Sequence, residues 1–243
     1  MSRQKFAMVI GGSRGIGAAI VRRLAADGFA VAFTYRERED CAAQLCTDLG
    51  AHKIRALRCD SADAQALQMT ITSAAGEHDG IEVLVNNAGA GVFRSIEELT
   101  LADFDQMVTI NLRAVFVAIQ AALPHMERGG RIINIGSCNA ERVPNAGSSV
   151  YAMSKAGLVG LVKGLARDLA PRGITINNVQ PGPVDTDMNP ADTDFARMMI
   201  DKVMAVPRYG TPAEVAALVS FIAGSDSAYL TGASINLDGG YTA

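Results

Sequence analysis

Short apolar runs alternate with longer segments whose apolar residues recur at helical spacing, from one end of the chain to the other. Phe6–Ile10 is a continuous apolar run that meets a glycine cluster. Between Arg14 and Asp27, the residues Ile16, Ile20, Val21 and Leu24 fall on one helical face. Similar runs predict strands over Phe29–Thr34, Lys53–Cys59, Ile81–Val85, Arg131–Ile135, Ile174–Val179 and Ala233–Leu237. Periodic segments predict helices over Glu37–Leu49, closed by Gly50, and over Ala62–Ala75. Val150–Ala170, stopped by Pro171 and Gly173, and Pro212–Ala223 read the same way. Leu101–Met126 is strongly apolar and reads as two helices in succession. The repeated strand–helix pattern predicts an α/β fold, a doubly wound parallel sheet of seven strands with helices on both faces. Nothing divides it, so residues 1–243 are expected to form a single domain. In such sheets ligands bind beyond the carboxyl ends of the strands. That points to Gly11–Gly17, Tyr35 and Arg36, Asp60, Asn86–Gly89, Ser137 and Pro181–Thr186.

Composition narrows the classes. Lys and Arg number 22 against 25 Asp and Glu, a net charge of −3, which argues against electrostatic binding of a nucleic acid polymer. Hydrophobic residues make up 49% and charged residues 19%, a balance that supports a buried core. Glycine fills 24 positions without a G-X-Y period, so tight turns or backbone–ligand contacts are expected. Cys41, Cys46, Cys59 and Cys138 form no CxxC pair and no zinc spacing, so no metal site is expected. Cys41 and Cys46 read as reduced thiols rather than a disulfide. His52, His78 and His125 stand at element edges, away from the predicted site. Met1–Lys5 opens no signal-peptide pattern, and Ala114–Leu123, broken by Gln120, is too short to span a bilayer. The chain reads as soluble and cytoplasmic, with no membrane partner.

Gly11-Gly12-Ser13-Arg14-Gly15-Ile16-Gly17 stands between the first predicted strand and the first predicted helix. Glycines there permit positive φ and let the backbone approach a pyrophosphate seated on a helix N-terminus. The spacing is GxxxGxG, in the strand–turn–helix context of a Rossmann-type dinucleotide site. An acidic residue after the second strand would favour NAD. Thr34-Tyr35-Arg36 stands there instead. With Arg14 in the glycine loop, two guanidiniums are available for a 2′-phosphate, so NADP(H) is expected over NAD(H).

Tyr151 and Lys155 are four residues apart in the long predicted helix and share a face. An ammonium beside a phenol favours the phenolate, which predicts a lowered Tyr151 pKa and acid–base chemistry near neutral pH. Ser137, ending its strand, is placed to hydrogen-bond a substrate oxygen. With these residues the chain resembles the short-chain dehydrogenase/reductase family in its single-domain form. The resemblance spans nearly the whole length. It rests on Gly11-xxx-Gly15-x-Gly17, Asp60, Asn86-Asn87-Ala88-Gly89, Asn111, Ser137, Tyr151-xxx-Lys155, Pro181-Gly182-x-Val184-x-Thr186 and Asp238-Gly239-Gly240. Ile10 departs from the family, which usually has Thr there, and removes a side-chain bond within the turn.

The resemblance implies hydride transfer between NADP(H) and a ketone, a 3-oxoacyl group or an alcohol. It implies that Tyr151 donates a proton to the carbonyl oxygen and that Lys155 binds the nicotinamide ribose and lowers the Tyr151 pKa. Ser137 would orient the carbonyl, and Asn111 would hold a proton-relay water. Asp60, with Ser61, would meet the adenine, and Asn87, Ala88 and Gly89 its ribose side. Val184 and Thr186, with Pro181 and Gly182, would fix the carboxamide and phosphate end. Substrate contacts would come from Ser137, Cys138, Asn139 and Val143, and from Met188 in a lid over about residues 185–210. A homo-oligomer, tetramer or else dimer, is implied as well. Gly173–Asn177 and Tyr229–Gly232 are similar to 3-oxoacyl-acyl-carrier-protein reductases and related ketone reductases. Arg128, Arg131, Arg142 and Arg172 are candidates to ring the pocket mouth for such a carrier. A narrower resemblance, through Gly11–Arg23, Asp60–Asp63, Gly91–Phe93 and Val179–Pro183, is to enterobacterial biofilm-dispersal mediators described as binding cyclic di-GMP. A nucleotide-binding signalling module is therefore the competing function. The intact Asn111, Ser137, Tyr151 and Lys155 set favours the reductase.

Overall fold

Apolar runs become strands, and periodic segments become the helices that cover them. The computed structural model describes residues 4–50 and 53–243, so the readings of Met1–Arg3 and His52 lie outside the described residues. The strands are β1 (Phe6–Ile10), β2 (Ala30–Tyr35), β3 (Ile54–Arg58), β4 (Val83–Asn86), β5 (Arg131–Ile135), β6 (Thr175–Pro181) and β7 (Ser234–Leu237). Among the described residues they form one seven-stranded sheet of order β3-β2-β1-β4-β5-β6-β7, with every pairing parallel. The helices are α1 (Gly15–Ala26), α2 (Glu39–Leu49), α3 (Ala64–Glu77), α4 (Leu101–Val108), α5 (Ala114–Ala122), α6 (Ser149–Leu169), α7 (Asp194–Lys202) and α8 (Pro212–Ala223).

The central strands are buried on both faces, and their side chains alternate between two cores. In β1, Phe6, Met8 and Ile10 join Leu67 and Ile71 of α3, Ala118 of α5 and Leu158 of α6. Ala7 and Val9 point the other way, into Ile20 and Leu24 of α1 and Val215 and Val219 of α8. A fully buried side chain of this kind stabilises the fold by about 1.5–3 kcal/mol. Helix starts are fixed locally. Asp63 caps α3, while Thr100 with Asp103 and Thr211 with Glu214 form capping boxes on α4 and α8.

Two elements differ from the sequence expectation. Leu101–His125 holds the two expected helices, but with no break between them, because a π turn at Thr109–Arg113 carries α4 directly into α5. At that length and composition it could cross a membrane, which corrects the estimate from Ala114–Leu123 alone. Half of it is buried, with Val115, Ala118, Ile119 and Ala122 in the core beside β4, as in the core helix of a globular protein. The second is α7, which has no predicted counterpart. It buries only Ala196 and Met199, too short a stripe to set a period. The four cysteines are free thiols.

Candidate active site

β1 and β4 are neighbours whose following helices cover opposite faces of the sheet. Such a crevice is where open α/β sheets take ligands. Ile10 pairs with Asn86, and Asn86 with Asn134, so three strands end level. The loops beyond them line a cavity of about 560 Å³.

The glycine turn forms its floor. Gly15 has φ +52°, and a Cβ on Gly17 would stand 2.0 Å from the Gly11 carbonyl oxygen. The turn is tied from both sides. The Gly11 N–H donates to Thr34 Oγ1 and the Gly12 N–H to the Thr34 carbonyl, each at 2.9 Å. Asn87 Nδ2 donates to the Gly11 carbonyl at 2.6 Å, and the Ala88 N–H to the Ile10 carbonyl at 2.7 Å. Thr34, from β2, thus supplies a hydroxyl bond to the turn that Ile10 cannot make. α1 begins with no side-chain cap bond and no acidic residue in its first turn, which leaves its first N–H groups for an anion.

Arginines gather at the far end. Arg14, Arg36 and Arg38 line the cavity with Tyr35, Asp60 and Ser61. Arg36 meets Glu37 at 2.8 Å, and Arg38 binds both Asp40 oxygens, at 2.9 and 2.7 Å. The Arg38 guanidinium holds the Asp40 carboxyl well below the usual range. Arg14 makes no ion pair among the described residues. Asp60 accepts from the Ala62 N–H at 2.9 Å.

At the opposite end, α6 presents Tyr151 and Lys155. Tyr151 lines the cavity together with Ser137. Lys155 is buried, and its Nζ donates to the Ile135 carbonyl at 3.0 Å, 5.8 Å from the Tyr151 ring centroid. Burial pushes Lys155 down to about 8. Burial also raises the Tyr151 pKa, with the nearby Ser137 hydroxyl opposing it. The expected lowering of Tyr151 is therefore corrected: desolvation dominates, and the ammonium bonds a main-chain carbonyl. Asn111 lies buried inside the π turn, a distortion often found at functional sites. Its Oδ1 accepts from the Ala90 N–H, and its Nδ2 donates to the Ala90 carbonyl and to Ser154 Oγ, each at 2.9 Å. Ser154 in turn donates to the Tyr151 carbonyl at 2.7 Å. Asn111 thus fastens the loop after β4 to α6.

Among the predicted substrate residues, Ser137 and Met188 line the cavity, whereas Cys138, Asn139 and Val143 do not. The 3₁₀ turn Cys138–Ala140 carries the chain away from it. Cys138 is buried under α7 with Met199, Tyr209 and Tyr241, and burial pushes its thiol up to about 12. Asn139 Oδ1 accepts from the Tyr241 phenol at 2.9 Å. Val143 is exposed outside the lining. The four arginines expected around the mouth are also elsewhere. Arg131 donates to the Gly129 and Gly130 carbonyls, Arg172 to those of Leu123 and Met126, and Arg142 to those of Tyr241 and Ala243. Arg128 lies against Gly173.

A family model described as Enoyl-(Acyl carrier protein) reductase matches residues 10–242. The chain is 46% identical over 239 residues to the cyclic-di-GMP-binding biofilm dispersal mediator protein of Escherichia coli strain K12, covering 98% of each. It is 40% identical over 238 residues to the 3-oxoacyl-(acyl-carrier-protein) reductase MabA of Mycobacterium tuberculosis strain H37Rv, covering 96% of this chain and 91% of that one. A crystal structure of a short chain dehydrogenase from Burkholderia cenocepacia J2315 in complex with NADP is 48% identical, with TM-score 0.96 over 99% of both chains. The chain belongs to the short-chain dehydrogenase/reductase family.

As a short-chain dehydrogenase/reductase, it brings most of the predicted residues to one cavity. Gly11 to Ile16 without Gly12, Tyr35, Arg36, Asp60, Ser61, Asn87 to Gly89, Ser137, Tyr151, Lys155, Pro181, Gly182, Val184, Thr186 and Met188 all line it. Gly17 and Asn111 stand behind the lining. Arg38, Phe93, Gln106 and Asn189 line it too and escape the sequence reading. Arg38 had a signal, a second cation two residues after Arg36. Phe93 had a weaker one, an aromatic in a glycine-rich loop. Its ring is 5.2 Å from that of Tyr151 at 55°.

Proposed function

We propose that this chain is an NADPH-dependent reductase of ketones or 3-oxoacyl groups, with Tyr151 as the proton donor. One observation carries the reading: a single cavity joins an uncapped α1 N-terminus at a glycine turn to Ser137, Tyr151 and Lys155. The residues present fit the cofactor. The α1 N-terminus suits a pyrophosphate, Arg14, Arg36 and Arg38 suit a 2′-phosphate, and Lys155 suits the nicotinamide ribose. The related NADP complex supports the same choice. When bound, NADPH supplies the hydride.

The side chains do the rest. Ser137 and Tyr151 converge on the carbonyl oxygen, which takes the Tyr151 proton as the carbon takes the hydride. The ketone becomes an alcohol and NADPH becomes NADP⁺. The raised phenol pKa keeps that proton available at neutral pH. The Lys155 ammonium then steadies the phenolate left behind. Asn111 keeps α6 in register with the loop after β4, and its place in the π turn suits the relay water. Phe93 and Met188 make an apolar wall, and a methionine-bearing lid over 185–210 suits substrates of varied shape. The reading includes a cytoplasmic homo-oligomer, supported by free thiols and by exposed Phe116, Met153 and Tyr229.

A second reading, binding of cyclic di-GMP as a signal, is favoured by the 46% identity to a protein named for that property. A ketone panel assayed with NADPH and with NADH, alongside titration with cyclic di-GMP, separates the two. Turnover that prefers NADPH supports the reductase. No turnover on any ketone, with tight cyclic di-GMP binding, supports the signalling module.

A further inference from the structure

The last six residues fold back between the loop that follows Ser137 and the segment that follows α7. Asp238 holds this tail in shape: its Oδ1 accepts from the Gly240 N–H at 2.9 Å, and its Oδ2 accepts from Thr242 N–H at 3.0 Å and Thr242 Oγ1 at 2.6 Å. On one side the tail grips the segment after α7, where the Val206 N–H donates to the Gly239 carbonyl at 2.8 Å. On the other it grips the loop after β5, where Arg142 donates to the Tyr241 and Ala243 carbonyls. Tyr241 stands at the centre, 3% exposed. Its phenol donates to Asn139 Oδ1 at 2.9 Å, and the Asn139 N–H donates to Ser137 Oγ at 3.2 Å.

That last bond matters for chemistry. A serine hydroxyl has one proton and two lone pairs. The Asn139 N–H occupies one lone pair, so it restricts how Ser137 meets Tyr151 and a substrate oxygen. The Asn139 peptide belongs to a single 3₁₀ turn, a weak element with few bonds of its own. The Tyr241 phenol is the side-chain anchor on Asn139 itself, while Glu141, which closes the turn, accepts from Gln180 Nε2 at 2.7 Å and Asn236 Nδ2 at 2.9 Å.

We propose that Tyr241 is a positioning residue for Ser137, and that the tail is a strap joining the catalytic turn to the substrate-side segment. This rests on the reductase reading for its catalytic consequence. Tyr241→Phe keeps the ring packing and removes only the hydroxyl. Reduction of ethyl acetoacetate by NADPH is expected to show kcat lowered about three- to tenfold, the scale of one hydrogen bond, with KM and NADPH Kd within about twofold. Combined with Asn139→Ala, the loss should not grow further, since both substitutions break the same link. Hydrogen exchange gives a readout independent of turnover: the peptide over 138–142 should lose protection in Tyr241→Phe. Unchanged exchange there overturns the strap. So do an unchanged kcat in an active enzyme and additive losses in the double variant. Wild-type protein that turns over no ketone, with exchange still raised in Tyr241→Phe, refutes the reductase reading and leaves the strap standing.

Discussion

The two ends of the cavity are built on different plans. At the glycine turn, backbone meets backbone with no space to spare. A Cβ on Gly17 would overlap the Gly11 carbonyl, and one on Gly11 would stand 2.8 Å from Ala88 Cα. Hydrogen bonds from Thr34 and Asn87 clamp that turn to its neighbours. At the substrate end the wall is side chain rather than backbone: Phe93 and Met188 are 59% and 64% exposed, and α7 buries only two of its residues. The contrast follows from what each end has to recognise. A pyrophosphate presents the same oxygens each time, so main-chain N–H groups at fixed positions serve best. Varied carbonyl compounds are met by polarisable side chains that rearrange.

The largest effect belongs where the two ends meet. Tyr151→Phe should lower kcat by about 10³-fold while the Kd for NADPH holds, measured by turnover and by cofactor fluorescence titration. Loss of cofactor binding in this variant would show that the ends are not separable. Gly17→Ala tests the rigid end: overlap with the Gly11 carbonyl should cost about 1–3 kcal/mol in chemical denaturation and weaken NADPH binding. A silent substitution there would mean that the turn relaxes freely.

Arg36→Ala narrows the question to one phosphate. It should raise the Kd for NADPH about 10- to 100-fold, the loss of charge-assisted bonds, and leave NADH unchanged. Equal losses with both cofactors would place Arg36 away from the 2′-phosphate.

Lys155 links activity to pH. Its pKa is lowered in the fold to about 8, so ketone reduction should decline as pH rises through that value and the ammonium is lost. Stability runs the opposite way. Below pH 8 both folded and unfolded chains hold the proton and the burial penalty is fully present. Between about 8 and the ordinary lysine value the unfolded chain binds more protons, so stability rises with pH. Lys155→Met should therefore be inactive and, at neutral pH, about 1–2 kcal/mol more stable in denaturant titration. Equal or lower stability would mean that the bond to the Ile135 carbonyl outweighs the penalty. The smallest effect is expected at the soft end. Met188→Ala should shift KM among ketones by less than about tenfold and leave cofactor binding alone, in line with one apolar contact.

The same contrast explains which features were legible in the sequence. Strands buried on both faces write themselves as apolar runs, and a phosphate turn needs glycines at set places. Gly11, Gly15 and Gly17 therefore announced the rigid end. The long helix stood out through its period, and with it the shared face of Tyr151 and Lys155. What escaped depends on direction rather than composition. Cys138, Asn139 and Val143 follow Ser137 in sequence, yet the 3₁₀ turn at Cys138–Ala140 points the chain away from the cavity. α7 escaped because two buried residues set no stripe. The π turn escaped because its apolar spacing shifts by a single residue, which reads as a break between two helices. Thr34 escaped because its bond reaches 23 residues along the chain. The Tyr151 pKa escaped because burial, which opposes the charged form, leaves no mark in local sequence.

The central claim is that a hydride reaches a carbonyl carbon while Tyr151 protonates the oxygen. Its most direct test is reduction of a ketone with NADPH deuterated at nicotinamide C4, using each face-labelled form in turn. The account predicts a single deuterium on the carbinol carbon from one of the two forms, and hydrogen from solvent on the oxygen. An alcohol carrying no deuterium from either form, or no alcohol at all, would contradict it.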